Sequence, residues 1–140
     1  MRLTTFTDFG LRALMLLADD PDRAISTAEI ADKFSISRHH LTKAMATLST
    51  AGFITTQRGS GGGARLARPA KDIKIGEVVR VLEQGQSLVE CFEPCGGSCA
   101  ITSACRLKSM LAGAEQAFLD DLNQYSLADC KAVFSFSATQ

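Results

Sequence analysis

Nothing in this 140-residue chain approaches a membrane span. The apolar run Leu14-Met15-Leu16-Leu17-Ala18 is short and follows Asp8 and Arg12, the wrong layout for a secretory leader. A cytoplasmic location is therefore expected, where thiols stay reduced. Five cysteines is also an odd number for a disulfide framework. No Cys-x-x-Cys occurs and no acid–base pair sits near the thiols, which argues against a thiol-redox protein and against an enzyme. The only histidines, His39 and His40, lie far from the cysteines in the chain. The glycine run Gly59-Ser60-Gly61-Gly62-Gly63 lacks the Gly-Lys-[Ser/Thr] ending of a phosphate-cradling loop, and no helix follows at once. Net charge is zero, so overall basicity does not announce a nucleic acid. No internal repeat or low-complexity tract is visible. The length fits one domain, or a small domain with an extension, with enough apolar residues for a core without staples.

The cysteines themselves are concentrated. Four of the five fall between Cys91 and Cys105, and Cys130 stands apart near the C-terminus as an unreactive thiol. Pro94 and Gly96-Gly97 make the first part of this stretch a loop. Thr102 or Ser103 is expected to cap a helix starting around Cys105. A loop of thiols entering a helix N-terminus suits a soft metal centre.

Charge is uneven too. Residues 1–70 carry nine bases against six acids, and residues 71–140 carry six against nine. An anionic partner is therefore expected for the first half only.

Apolar residues at helical spacing predict a first helix over residues 5–20, with Thr5 and Asp8 as a capping box. Ser26-Thr-Ala-Glu29 is a second box, opening a short helix through Phe34. After the turn Ser35-Ile36-Ser37, a Ser37 cap opens a third helix with Leu41, Ala44, Met45 and Leu48 as its stripe. Gly52 sits where a helix end favours a left-handed residue. Two short helices across a tight turn make a helix-turn-helix. Arg38, His39, His40 and Lys43 then begin the recognition helix, the part that meets base edges and phosphates.

A strand over 53–58, the glycine turn and a returning strand over 64–67 form a hairpin wing. Its arms carry Arg58, Arg65 and Arg68 with no acid nearby in sequence, and residues 26–68 hold six bases against two acids. That suits phosphate neutralisation and an arginine in a minor groove. Pro69-Ala70 reads as a hinge before a short helix bearing Ile75, Val78, Val79 and Leu82. The longest helical pattern spans about 103–125, with Leu107, Met110, Leu111, Ala114, Phe118, Leu122 and Tyr125 on one face. So long an apolar face beside so small a domain points to packing against a second copy.

Three stretches together resemble a known family: Met1-Arg-Leu-Thr-Thr-Phe-Thr-Asp-Phe-Gly-Leu-Arg-Ala-Leu14, the wing Arg58-Gly-x-x-Gly-Gly-x-x-Leu66-x-x-Pro69, and the cysteine loop after a short helix. The chain resembles the Rrf2 family of bacterial winged-helix regulators that bind iron–sulfur clusters, to about Asp129. Ser87-Leu-Val-Glu-Cys91 and Cys99-Ala-Ile-Thr-Ser-Ala-Cys105-Arg-Leu-Lys108 look most like the nitric-oxide-sensing repressors of that family.

The resemblance implies a homodimer on double-stranded operator DNA, with Cys91, Cys99 and Cys105 holding the cluster. Cys95 competes with Cys91 as first ligand and is also a candidate fourth. Some family members use a histidine two residues after the third cysteine; here that residue is Leu107. In others a carboxylate near the start of the partner's first helix completes a [4Fe–4S] cluster. Asp8 of the partner subunit occupies that position, and an exogenous ligand is a further alternative. A [4Fe–4S] cluster is favoured over [2Fe–2S], with nitric oxide as the signal. An iron- or redox-status regulator on the same scaffold is the alternative. A zinc site is a third reading, but intervals of three, three and five residues are not the pairs of a zinc ribbon.

The expected architecture is mainly α. A winged helix-turn-helix fills 1–70, a short helix and cluster loop 71–106, and a dimerisation helix with a C-terminal segment 103–130. A flexible tail over 131–140 completes it.

Overall fold

The computed structural model describes residues 2–132 and 134. Five α-helices and one hairpin follow in chain order: α1 (Thr5–Asp19), α2 (Thr27–Phe34), α3 (Arg38–Thr50), β1 (Ile54–Gln57), β2 (Gly63–Leu66), α4 (Ile75–Leu82) and α5 (Arg106–Leu122). A single core joins Leu14 and Leu17 of α1, Ile30 of α2, Leu41 and Leu48 of α3, Ile54 of β1, and Val78, Val79 and Leu82 of α4. Each such side chain contributes about 2 kcal/mol relative to exposure.

α1 is capped by Thr4, whose hydroxyl accepts the Thr7 N–H at 3.2 Å. The expected Thr5–Asp8 box does not form. Asp8 instead faces Arg12 one turn on, at 2.7 Å. In α2 half of the expected box forms. Ser26 accepts the Glu29 N–H at 3.1 Å, while the Glu29 carboxylate turns to Arg23 at 2.8 Å.

The helix-turn-helix is built by local chemistry. Ser35 ends α2 in the left-handed region (φ 53°), and its N–H and that of Ile36 donate to the Asp32 and Ala31 carbonyls. Ser37 then caps α3 through the His40 N–H. α3 ends with Gly52 at φ 81° and the Phe53 N–H on the Leu48 carbonyl at 3.0 Å, the double-bonded stop that a glycine permits.

β1 and β2 pair antiparallel with Thr55 opposite Arg65. A third segment, not visible in the sequence pattern, joins them: Ile25 and Ala64 exchange backbone bonds of 3.0 and 2.8 Å. Gly63 is required there. Its φ is 149°, and a Cβ would lie 2.6 Å from the Ile25 carbonyl carbon.

The expected hinge at Pro69-Ala70 is a 3-10 turn, Ala70–Asp72, leading directly into the core at Ile73. α4 crosses α5 at Gly76, where a Cβ would collide with the Leu119 backbone oxygen.

α5 begins at Arg106, after Cys105, with no side-chain cap; the Thr102 hydroxyl donates to the Cys99 carbonyl at 2.9 Å instead. Phe118, Leu119 and Leu122 pack on the core, but no residue of α5 is fully buried. Tyr125 lies beyond the helix, where its carbonyl accepts the Ile75 N–H at 3.1 Å. Cys130 ends a short 3-10 helix, Leu127–Cys130. Of the expected tail, Lys131, Ala132 and Phe134 are described, and Phe134 meets Phe34 edge-on at 5.9 Å. The rest of 131–140 lies outside the described residues. Among the described residues no helix is long and apolar enough to cross a membrane.

Candidate nucleic-acid interface and cysteine loop

α3 buries Leu41, Ala44, Met45 and Leu48, which turns Arg38, His39, His40, Thr42 and Lys43 outward. The hydroxyl of the exposed Thr42 donates to the Arg38 carbonyl at 2.8 Å. Sequence reasoning passed over Thr42 because its charge and size are unremarkable for a helix surface. The spacing from His39 is what places it beside that histidine.

The hairpin carries Arg58 at the end of β1 and Arg65 on β2, both exposed. Among the described residues none of the side chains of Arg38, His39, His40, Lys43, Arg58 or Arg65 has a hydrogen bond or ion pair; the two histidine rings meet at 5.8 Å. Unpaired exposed cations on a recognition helix and a wing are free to neutralise phosphates. Arg68 differs from the expectation. Its guanidinium lies over the Phe53 ring at 5.0 Å and reaches Glu77 of α4 at 3.8 Å. Its buried Nε has no hydrogen-bond partner among the described residues. These contacts tie Arg68 to the base of the wing and to α4, unlike Arg58 and Arg65.

The cysteine loop runs from α4 to α5 through two 3-10 turns, Glu90–Phe92 and Thr102–Ala104. All its thiols are free; Cys91 and Cys105 are half-buried, and Cys95 and Cys99 are exposed. The Cys95 thiol donates to Glu93 at 3.7 Å. Among the described residues no three His, Cys, Asp or Glu side chains converge closely enough to hold a metal ion. The donor chemistry nevertheless suits a soft centre: free thiols on a glycine-rich loop that can close around it. Asp8 sits on α1 with its side chain 47% exposed and both carboxylate oxygens on Arg12, at 2.7 and 3.1 Å. The isolated thiol, Cys130, is different. Burial first, and the Asp129 charge second, push its pKa up, which disfavours the reactive thiolate.

Leu107 and Met110 on the first half of α5 are 58% and 59% exposed, and Ile101 just before it is 63% exposed. A cleft of about 620 Å³ runs between the N-terminal residues Arg2, Leu3 and Thr4, the end of α4 and the middle of α5.

A helix-turn-helix with a wing, its outward face lined by unpaired cations, defines a DNA-binding regulator. The model of the Rrf2 family, described as iron-dependent transcriptional regulators, matches residues 3–132. The chain belongs to the Rrf2 family, whose members are transcriptional regulators and not enzymes. Its fold is similar to that of T. potens IscR, at 27% identity and a TM-score of 0.72 over 93% of this chain and 85% of that one. It is also similar to CymR, the global cysteine regulator of B. subtilis, at 25% identity and a TM-score of 0.71 over 93% and 95% of the two chains. The oxidized form of Staphylococcus aureus CymR matches at 26% identity and a TM-score of 0.70, over 96% and 99%.

Proposed function

We propose that this regulator is a cytoplasmic homodimeric repressor of the NsrR kind, which holds an iron–sulfur cluster and leaves its operator when nitric oxide is present. Cys91, Cys99 and Cys105 are the thiolate donors, with Asp8 of the partner subunit as the fourth and Cys95 as its competitor. A [4Fe–4S] cluster is favoured over [2Fe–2S]. The observation that carries the reading is the free-thiol loop between α4 and α5, combined with Leu107 where a histidine ligand would stand. A cluster held there supplies an iron with a non-cysteine ligand, open to a diatomic molecule.

The chain's own residues supply the linkage to DNA. Asp8 projects from α1 beside Arg12, and α1 packs directly on α3. A loop of one protomer bound to Asp8 of the partner subunit fixes α1, and through it the separation of the two recognition helices. That separation must match the operator half-sites. Opening the loop releases the constraint. Two states with different contacts are what a switch requires. Arg38, His39, His40 and Lys43 enter the major groove in this reading, and Arg58 and Arg65 neutralise flanking phosphates. Leu107 and Met110 are covered by the second protomer.

The test is anaerobic purification with iron and sulfide analysis, then titration with nitric oxide while DNA affinity is followed. About four irons and four sulfides per protomer, bleached by nitric oxide with loss of operator binding, support the proposal. Two irons without a nitric-oxide response would move the assignment to an iron- or redox-status regulator. Colourless zinc protein would overturn the cluster.

A further inference from the structure

We propose that Glu90 is the positioning residue of the cysteine loop, and that it makes Cys91 and Cys99 the built pair while leaving Cys95 outside it. What the pair holds rests on the iron–sulfur reading; the loop closure does not.

One oxygen of the Glu90 carboxylate, Oε1, accepts the Ser98 N–H at 2.7 Å and the Ser98 hydroxyl at 2.6 Å. These bonds close the loop between two residues eight positions apart, and both are assisted by the carboxylate charge. The same donors hold the Glu90 carboxyl below the usual range, Ser98 hydroxyl first and Ser98 amide second. The closure is tight. Gly97 lies at φ 62°, and a Cβ there would stand 2.6 Å from Glu90 Cγ and 2.7 Å from the Glu90 carbonyl oxygen. Residue 97 must be glycine for both reasons, its backbone conformation and the close approach.

The consequence for the thiols follows from the chain path. Cys91 follows Glu90 and Cys99 follows Ser98, so the clasp draws together the two chain positions that carry these thiols. Cys99 is held from its far side as well. Its carbonyl accepts the Thr102 hydroxyl at 2.9 Å and the Thr102 N–H at 3.3 Å. Cys95 lies within the closed segment; it is exposed like Cys99, but its thiol donates to Glu93. Glu90 therefore selects among thiols that are chemically alike.

The experiment uses the full-length, cluster-free chain and dibromobimane, which becomes strongly fluorescent when it bridges two neighbouring thiols. Two variants each keep a single pair, Cys91 with Cys99 or Cys91 with Cys95, the other cysteines being serine. The Cys91–Cys99 pair is expected to bridge about tenfold faster, a difference of one charge-assisted hydrogen-bonded closure. Glu90→Ala should erase that advantage, and Ser98→Ala should reduce it partially because the amide bond survives. Circular dichroism on each variant confirms the helical fold. Faster bridging of Cys91 with Cys95, or a rate unchanged by Glu90→Ala, would overturn the proposal. Iron content after anaerobic reconstitution is measured separately. Loss of iron in Glu90→Ala extends the clasp to cluster retention. Iron retained in full by Glu90→Ala refutes that extension. A wild-type chain that bridges as expected but holds no iron refutes the cluster and leaves the clasp standing.

Discussion

Glu83, at the C-terminal end of α4, accepts the backbone N–H of Thr4 at 2.8 Å across 79 positions of sequence. The same oxygen, Oε1, accepts the Thr4 hydroxyl at 2.8 Å and, in a short bond, the hydroxyl of the fully buried Thr7. A capping box ordinarily draws its carboxylate from the third residue of the same helix. Here another helix supplies it. α1, which carries Asp8, is thereby tied to the segment that leads into the cysteine loop.

Glu83→Ala should lower stability by about 2–3 kcal/mol, because it leaves three donors around one site without their acceptor. Urea unfolding followed by circular dichroism measures it. Glu83→Gln should recover part of the loss, since the amide oxygen still accepts but carries no charge. Equal stability of the alanine variant and the wild type would show that water replaces the carboxylate.

The two wing arginines with different surroundings should part company in a DNA-binding assay. Arg58 is exposed and has no partner among the described residues, so Arg58→Ala should weaken operator binding by about 1–3 kcal/mol and leave the melting temperature unchanged. Arg68 stacks on Phe53 and reaches Glu77, so Arg68→Ala should act first on stability. Electrophoretic shifts and thermal melts on the same two proteins decide the matter. Reversal of the two effects would place Arg68 on the DNA.

The helix-turn-helix was legible because its signals are local. Ser26 and Ser37 cap as their positions in the pattern require, and the α3 stripe of Leu41, Ala44, Met45 and Leu48 is buried as a set. The misreadings share one cause, a partner distant in sequence. Asp8 looked like a cap from the spacing to Thr5, but the real cap is Thr4, backed by Glu83. Arg68 looked free because its acid, Glu77, belongs to the next helix. The Ile25–Ala64 bridge joins two segments that carry no strand signal in common. In the cysteine loop the chemistry was readable and the geometry was not. Glycines admit many paths, and the Glu90–Ser98 closure that chooses one involves neither cysteine nor glycine side chains.

Leu107 and Met110 provide the sharpest test of assembly. Both face outward from the first half of α5, while Phe118 and Leu122 on the second half hold the helix to its own core. Leu107→Asp with Met110→Asp should therefore leave the protomer folded and shift sedimentation from dimer to monomer. Operator affinity should fall in parallel, since a monomer meets one half-site. A dimer that survives both charges would locate the interface elsewhere.

Acid sensitivity follows from two surface carboxylates with a stated sign. The Arg23 guanidinium, by hydrogen bond and then by charge, holds Glu29 below the usual carboxylate range, with a smaller contribution from Lys33 and some opposition from burial. The Ser126 amide and hydroxyl hold Asp129 low in the same way, as the two ends of a capping box. A folded pKa below the unfolded one contributes stability that is fully present above the unfolded value. It is lost as pH falls through the folded value, because the unfolded chain then binds the proton more readily. Thermal midpoints should thus be level from neutral pH down to about 5 and decline below about 4, where free carboxylates titrate. Glu29→Gln and Asp129→Asn should each lower the neutral plateau slightly and flatten the acid decline. Both groups are largely solvent-screened, so each effect is small, and the double variant is the informative one. An acid decline as steep in the double variant as in the wild type would assign it to other carboxylates.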